Sequence, residues 1–175
     1  MKYETQRIAF WYFAAAMALF GVQQIGGLWL GWIYVSPNFL SELMPFNIVR
    51  MIHTNSLVVW LILAFMGGTF FLLPEETERE IWSRALAYAA LGILVFAALA
   101  AVAGYLFRVH EGREFLEQPT WVKLLLVLGV VFFLANVAMT LLQGRKTVIT
   151  NVLFLGLAGL TLFLFALYNP ANLSL

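Results

Sequence analysis

Cysteine is absent from this sequence, and so is aspartate. The first absence excludes disulfides, thiolate metal sites and cysteine nucleophiles. The second leaves glutamate as the only acidic side chain, with nine copies. Histidine is nearly absent: only His53 and His110 carry an imidazole. Two imidazoles cannot build a three-histidine metal centre, so this chain alone cannot supply one. Charge is scarce as well, at 11% of residues with a net of +1. That balance gives no sign of a nucleic-acid partner, and none is expected.

What is there is apolar surface. Of 175 residues, 63% are hydrophobic, and the mean hydropathy is +0.90. A run of about 20 apolar residues spans a bilayer. The pattern therefore predicts an all-α, polytopic transmembrane protein with lipid around it. Five spanning helices are expected, at about residues 8–35, 48–73, 85–107, 120–143 and 148–168, in one transmembrane domain over 1–175. The segment 1–7 is too short and charged to be a domain. The run after it is longer than a signal-peptide core and lacks a small-x-small cleavage site, so it reads as a retained helix.

The first helix carries Gln23 and Gln24, expected to hydrogen-bond between helices, and a Gly27-x-x-x-Gly31 spacing that lets another backbone approach. Pro37 and Pro45 mark a loop, and Pro74 is expected to end the second helix. Residues 75–80 read as a solvated charged loop. The third helix has no polar group that suggests a site, and Asn136 is the one polar residue expected to be buried in the fourth.

Five helices put the termini on opposite faces. With the N-terminus in the cytoplasm, Lys2, Arg7, Arg79, Arg84, Arg145 and Lys146 lie inside, and Arg50, Arg108, Arg113 and Lys123 outside. This weak bias matches the positive-inside rule. The loop 108–119 then shares a side with the start of the second helix.

Within the second apolar run stand two ionisable residues, Arg50 and His53. Such residues are costly in lipid and mark function. Three apart on a helix, they share a face. An imidazole deep in the run could ligate a heme iron, with a guanidinium one turn nearer the surface meeting the propionates. The same face continues through Ser56, Trp60, Ala64 and Gly67, three of them small. The alternative is a histidine that only hydrogen-bonds to a neighbouring helix. In the loop, Glu114 could approach heme propionates through a hard cation such as calcium, or be an ordinary exposed acid.

The wording of these stretches resembles a known family. Residues 45–55, Pro-Phe-Asn-Ile-Val-Arg-Met-Ile-His-Thr-Asn, with Val59-Trp60-Leu61, Phe65-Met66-Gly67 and Leu73-Pro74-Glu75-Glu76, are similar to the catalytic large subunit of respiratory nitric oxide reductase. So are residues 112–120, Gly-Arg-Glu-Phe-Leu-Glu-Gln-Pro-Thr, then Gly144-Arg145-Lys146-Thr147 and Tyr168-Asn169-Pro170. That family belongs to the heme–copper oxidase superfamily, and the resemblance covers essentially the whole chain in order.

The resemblance implies that His53 is an axial ligand of low-spin heme b, that Arg50 pairs with its propionates and that Glu114 is a calcium ligand. It implies an oxidoreductase complex that reduces nitric oxide to nitrous oxide, with electrons from a membrane-anchored cytochrome c subunit. The chain starts directly at its first helix, which resembles the cytochrome c-dependent branch. It also implies a multi-pass protein of a bacterial or archaeal cytoplasmic (inner) membrane. The family fold has about twelve helices, and this chain resembles the first part. The ligands of heme b3 and of the non-heme iron come later in the family, so the chain holds no catalytic residue of the binuclear centre. A further segment or a partner chain with the remaining His-rich helices is expected. Two other readings remain at this point: a heme-free structural or assembly subunit, and a superfamily relative that dismutates nitric oxide or reduces oxygen.

Overall fold

The computed structural model describes residues 2–38, 43–111, 114–144 and 147–167. Five α-helices follow one another: α1 (Thr5–Val35), α2 (Phe46–Thr77), α3 (Arg84–Leu106), α4 (Thr120–Gln143) and α5 (Val148–Leu167). The first four are long and apolar enough to cross a bilayer. The shortest of them, α3, has 23 residues and a length of about 34 Å, against a hydrocarbon core of about 30 Å. In α5 the described apolar stretch, Val148–Gly159, is shorter than a span. Four spans therefore stand among the described residues where the sequence predicted five.

The second helix does not end at Pro74. It continues for another turn to Thr77. Proline forfeits only its own N–H and the bond to the carbonyl four residues back, and the turn after it closes again. The Thr77 hydroxyl donates to the Leu73 carbonyl at 2.7 Å. The chain turns out of the helix one residue later, at Glu78, in a left-handed conformation with φ 54°.

The helices pack as two antiparallel pairs, α1 with α2 and α3 with α4, joined through α2 and α3. Their shared core holds Tyr12, Leu63, Met66, Phe70, Leu94 and Phe133. Three rings meet edge to face at its centre, Tyr12–Phe70 and Phe70–Phe133 both at 5.3 Å. The α3–α4 approach depends on Gly129, where an added Cβ would stand 2.7 Å from Leu94 Cγ. A second cluster, with Ile48, Met51, Ala97, Ala101, Tyr105 and Val122, fills the end of the bundle where α2 begins.

Loops close both ends. At the α1 N-terminus, Glu80 accepts from the Glu4 amide at 2.7 Å and the Thr5 amide at 3.0 Å, and from the Thr5 hydroxyl. A carboxylate there satisfies orphan amides and meets the positive end of the helix dipole. The same loop docks on α4: the Asn136 amide donates to the Ser83 carbonyl at 2.7 Å, and the Ser83 amide donates back at 3.0 Å. At the opposite end, Glu111 accepts from the Thr120 amide and hydroxyl and so caps α4.

Candidate functional site

The α1–α2 interface is narrowest where two glycines face one histidine. An added Cβ on Gly26 would lie 3.2 Å from His53 Cβ, and one on Gly27 would lie 2.9 Å from His53 Cε1. The close approach thus uses Gly26 and Gly27. An added Cβ on Gly31, the second member of the predicted pair, would meet nothing within 4 Å among the described residues.

His53 Nδ1 lies 2.7 Å from the main-chain carbonyl oxygen of Gln23. A carbonyl can only accept, so Nδ1 carries a proton and donates it. In the neutral ring Nε2 is then the lone-pair nitrogen, the form that ligates a metal. The Gln23 side-chain amide stands over the ring, 3.5 Å from each nitrogen. The Gln24 amide holds it in place by donating to Gln23 Oε1 at 3.0 Å. Of the two glutamines expected to bridge helices, Gln23 does so, and Gln24 bonds within its own helix.

One turn toward the membrane surface, Arg50 is held by two acids. Its guanidinium donates to Glu114 Oε1 at 2.8 Å and to Glu117 Oε1 at 3.4 Å. The two acids differ in setting. The Glu114 side chain is 60% exposed and that of Glu117 only 6%. Glu117 is also tied to the bundle, because the Asn55 amide donates to its second oxygen at 2.9 Å. Gln118 then donates to Asn55 Oδ1 at 2.5 Å. The loop between α3 and α4 is fastened to α2 through these five side chains.

The structure therefore brings together Arg50 and Glu114, two residues singled out in the sequence, and sets His53 one turn deeper. His110 is exposed in the loop and lies outside this cluster. Gly112 and Arg113 of the loop motif, like Arg145, Lys146 and residues 168–170, fall outside the described residues. Glu117, Asn55 and Gln118 were not singled out as a set. Their common signal is polarity beside predicted spans, and only the fold shows which loop acid turns inward.

The stripe below His53 serves two purposes. Gly67 is occupied by packing, with Tyr12 Cβ 3.1 Å and the Ala9 carbonyl oxygen 3.4 Å from where its Cβ would be. Small size there lets α1 approach and does not leave space for a ligand. Trp60, two turns below His53, packs edge to face on Phe20 at 5.2 Å. Its indole Nε1 is buried with no hydrogen-bond partner among the described residues.

The donor set fits one axial ligand of a heme: a neutral imidazole with a fixed tautomer, seated where a methyl group on Gly27 would push it away. For a closed calcium site the fit fails among the described residues, which contain no cluster of three or more acidic or histidine side chains that could hold a metal. Calcium takes about six to eight oxygens, and Glu114 offers at most two.

Residues 7–175 match the family model described as cytochrome c and quinol oxidase polypeptide I. A curated protein of Stutzerimonas stutzeri, the B subunit of nitric oxide reductase, is 43% identical over 189 aligned positions, which cover 99% of this chain and 40% of that protein. The chain thus spans well under half the length of that relative.

Proposed function

This chain belongs to the family of cytochrome c and quinol oxidase polypeptide I, the heme–copper oxidases, and from that premise we propose that it is the first part of a nitric oxide reductase large subunit. In this reading it works in a complex that couples two nitric oxide molecules to nitrous oxide, with electrons from a cytochrome c subunit. His53 is one axial ligand of low-spin heme b. The remaining heme b ligand, heme b3 and the non-heme iron belong to further helices, in the same polypeptide or a partner. Residues 148–168 form a fifth span, and the N-terminus faces the cytoplasm of a bacterial inner membrane.

One observation carries the reading: the 2.7 Å contact from His53 Nδ1 to the Gln23 carbonyl, which puts the proton on Nδ1 and the lone pair on Nε2, where an iron would compete only with the Gln23 side-chain amide at 3.5 Å. When bound, the heme supplies a one-electron carrier. The chain's own residues do the rest. Gln23 fixes the imidazole's tautomer and its angle. Gly26 and Gly27 let α1 come close enough for that contact. Arg50 keeps a positive charge one turn above, where it would pair with the propionates of a bound heme, and Glu114 and Glu117 hold its guanidinium in place. Glu114 is the member exposed enough to offer an oxygen to calcium, the other ligands coming from elsewhere.

The same contact also favours a second reading, a heme-free subunit in which His53 only ties α1 to α2. The two part on one experiment. Reduced-minus-oxidised spectra with pyridine hemochrome analysis, on the complex from its native membrane and on a His53→Ala preparation, are expected to show a low-spin heme b signal that the substitution removes. Native complex without that signal leaves the packing role.

A further inference from the structure

Away from His53, a groove of about 450 Å³ runs between α1 and α3 on the outer side of the bundle. Trp11 and Ala15 line it from α1, and Tyr88, Leu91 and Val95 from α3. Its floor is fixed, because the Tyr12 hydroxyl donates to the Ala87 carbonyl at 2.8 Å and so ties the two helices together. Its rims are aromatic and open: Trp11 is 54% exposed and Tyr88 48%. From Tyr88 to Val95 the α3 wall covers about 10 Å of helix axis, roughly a third of the hydrocarbon core.

Each wall is built to the same plan. On α1, Arg7 precedes Trp11 by four residues; on α3, Arg84 precedes Tyr88 by four. At that spacing each arginine sits on the stripe of its aromatic partner, one turn nearer the helix N-terminus. Helix side chains lean toward the N-terminus, so by spacing both arginines belong to the end of the groove where the two helices begin. Both N-termini lie at one end of the bundle, as the Glu80 contacts to α1 and the Arg84–Glu4 pair require. Arg7 makes no ion pair among the described residues. Arg84 pairs with Glu4, but the two side chains are 55% and 64% exposed, and such a pair is weak in water.

An apolar trough, an aromatic belt at interfacial depth and two cations above it match the parts of one molecule. We infer that the α1–α3 groove is a binding site for an anionic phospholipid, with an acyl chain between Trp11 and Tyr88 and the phosphate between Arg7 and Arg84. A guanidinium binds a phosphate oxygen pair in a fork, so the phosphate displaces Glu4 from Arg84. This site stands on the α1–α3 geometry and is independent of heme binding at His53.

Brominated acyl chains quench tryptophan on contact, and Trp11 reports from inside the groove. The purified complex is placed in phosphatidylcholine nanodiscs doped with brominated phosphatidylglycerol or, separately, brominated phosphatidylcholine. With six tryptophans in the chain, the Trp11 share is the difference from a Trp11→Phe preparation. Brominated phosphatidylglycerol is expected to quench that share at about 25-fold lower mole fraction, about fivefold for each arginine. In Arg7→Gln/Arg84→Gln the two lipids become equivalent, and in Arg7→Gln alone about half of the logarithmic preference remains. Equal potency in the unsubstituted complex overturns the site, as does a preference that survives both substitutions. A Trp11 share that neither lipid quenches shows the groove covered by protein and overturns it as well.

Discussion

His53 on α2 donates its Nδ1 proton to the main-chain oxygen of Gln23 on α1 across 2.7 Å. No side-chain substitution at Gln23 removes that acceptor, but a change in helix separation does. Gly27→Ala puts a methyl group 2.9 Å from Cε1 of the ring, closer than real contacts allow, so the imidazole must turn or α1 must move. The expected result is a loss or broadening of the low-spin heme b band in purified complex. Gly31→Ala, with nothing within 4 Å, is expected to leave the band unchanged and serves as its control.

Arg50 places a positive charge one turn from His53. Removing it favours the oxidised, more positive iron, so Arg50→Ala is expected to lower the heme b reduction potential in a redox titration. Arg50→Lys keeps the charge and loses the fork to Glu114 and Glu117. It is expected to recover most of the potential but not the thermal stability. An unchanged or raised potential in Arg50→Ala removes the arginine from the heme's surroundings.

The two acids on Arg50 are not equivalent. Glu114 is exposed, and an ion pair in that setting contributes at most about 1 kcal/mol. Glu117 is buried and shared between Arg50 and Asn55. Glu117→Ala takes one of two acceptors from each of them, leaving Arg50 with Glu114 and the Asn55 amide with the Met51 carbonyl, and the loss of these charge-assisted bonds is expected to cost about 2 kcal/mol, read as a lower melting temperature. Glu114→Ala is expected to change stability little. If Glu114 ligates calcium, metal analysis of that variant shows less bound calcium and slower reduction by the cytochrome c subunit.

Glu80 predicts an acid-sensitive end of the bundle. Partial burial pushes its carboxyl up, but the Thr5 hydroxyl, the Glu4 and Thr5 amides and the Arg84 charge together outweigh burial and hold it below the ordinary carboxylate range. A depressed folded-state value stabilises the fold above the unfolded value. That contribution is lost as pH falls through the folded value. Stability measured from neutral to acidic pH is therefore expected to fall with a component that Glu80→Gln lacks. Equal slopes for the two proteins remove Glu80 from that role.

The long helices were legible because apolar runs of membrane length admit few other structures. Their ends were less so. Pro74 reads as a stop, yet the turn after it costs only one backbone bond, and the Thr77 hydroxyl helps to close it. Arg50, His53 and Glu114 stood out as charges beside or inside apolar runs, and alternation of the helices already put Arg50 and the loop 108–119 on one side. The partner of His53 was hidden, because a main-chain carbonyl has no sequence signature. Lys123 reads as an outer charge, but it takes an inward position on the first turn of α4 and is 2% exposed. Glu117 and Glu114 are three residues apart in one loop, and nothing in their order says which turns inward. That depends on Asn55, which lies 62 residues from Glu117.

The clasp at the start of α1 bears on how the chain enters a membrane. The Thr5 amide finds its acceptor in a carboxylate 75 residues later, beyond the whole of α2. While α1 is the only helix made, its first turn must keep those amides in water. Once α2 has crossed and the following loop has left the ribosome, Glu80 arrives and Asn136 later fastens the same loop to α4. The smallest inserted unit with a finished α1 is thus a helical hairpin with its trailing loop. A ribosome stalled before residue 80 would hold a first helix that is threaded but not yet latched.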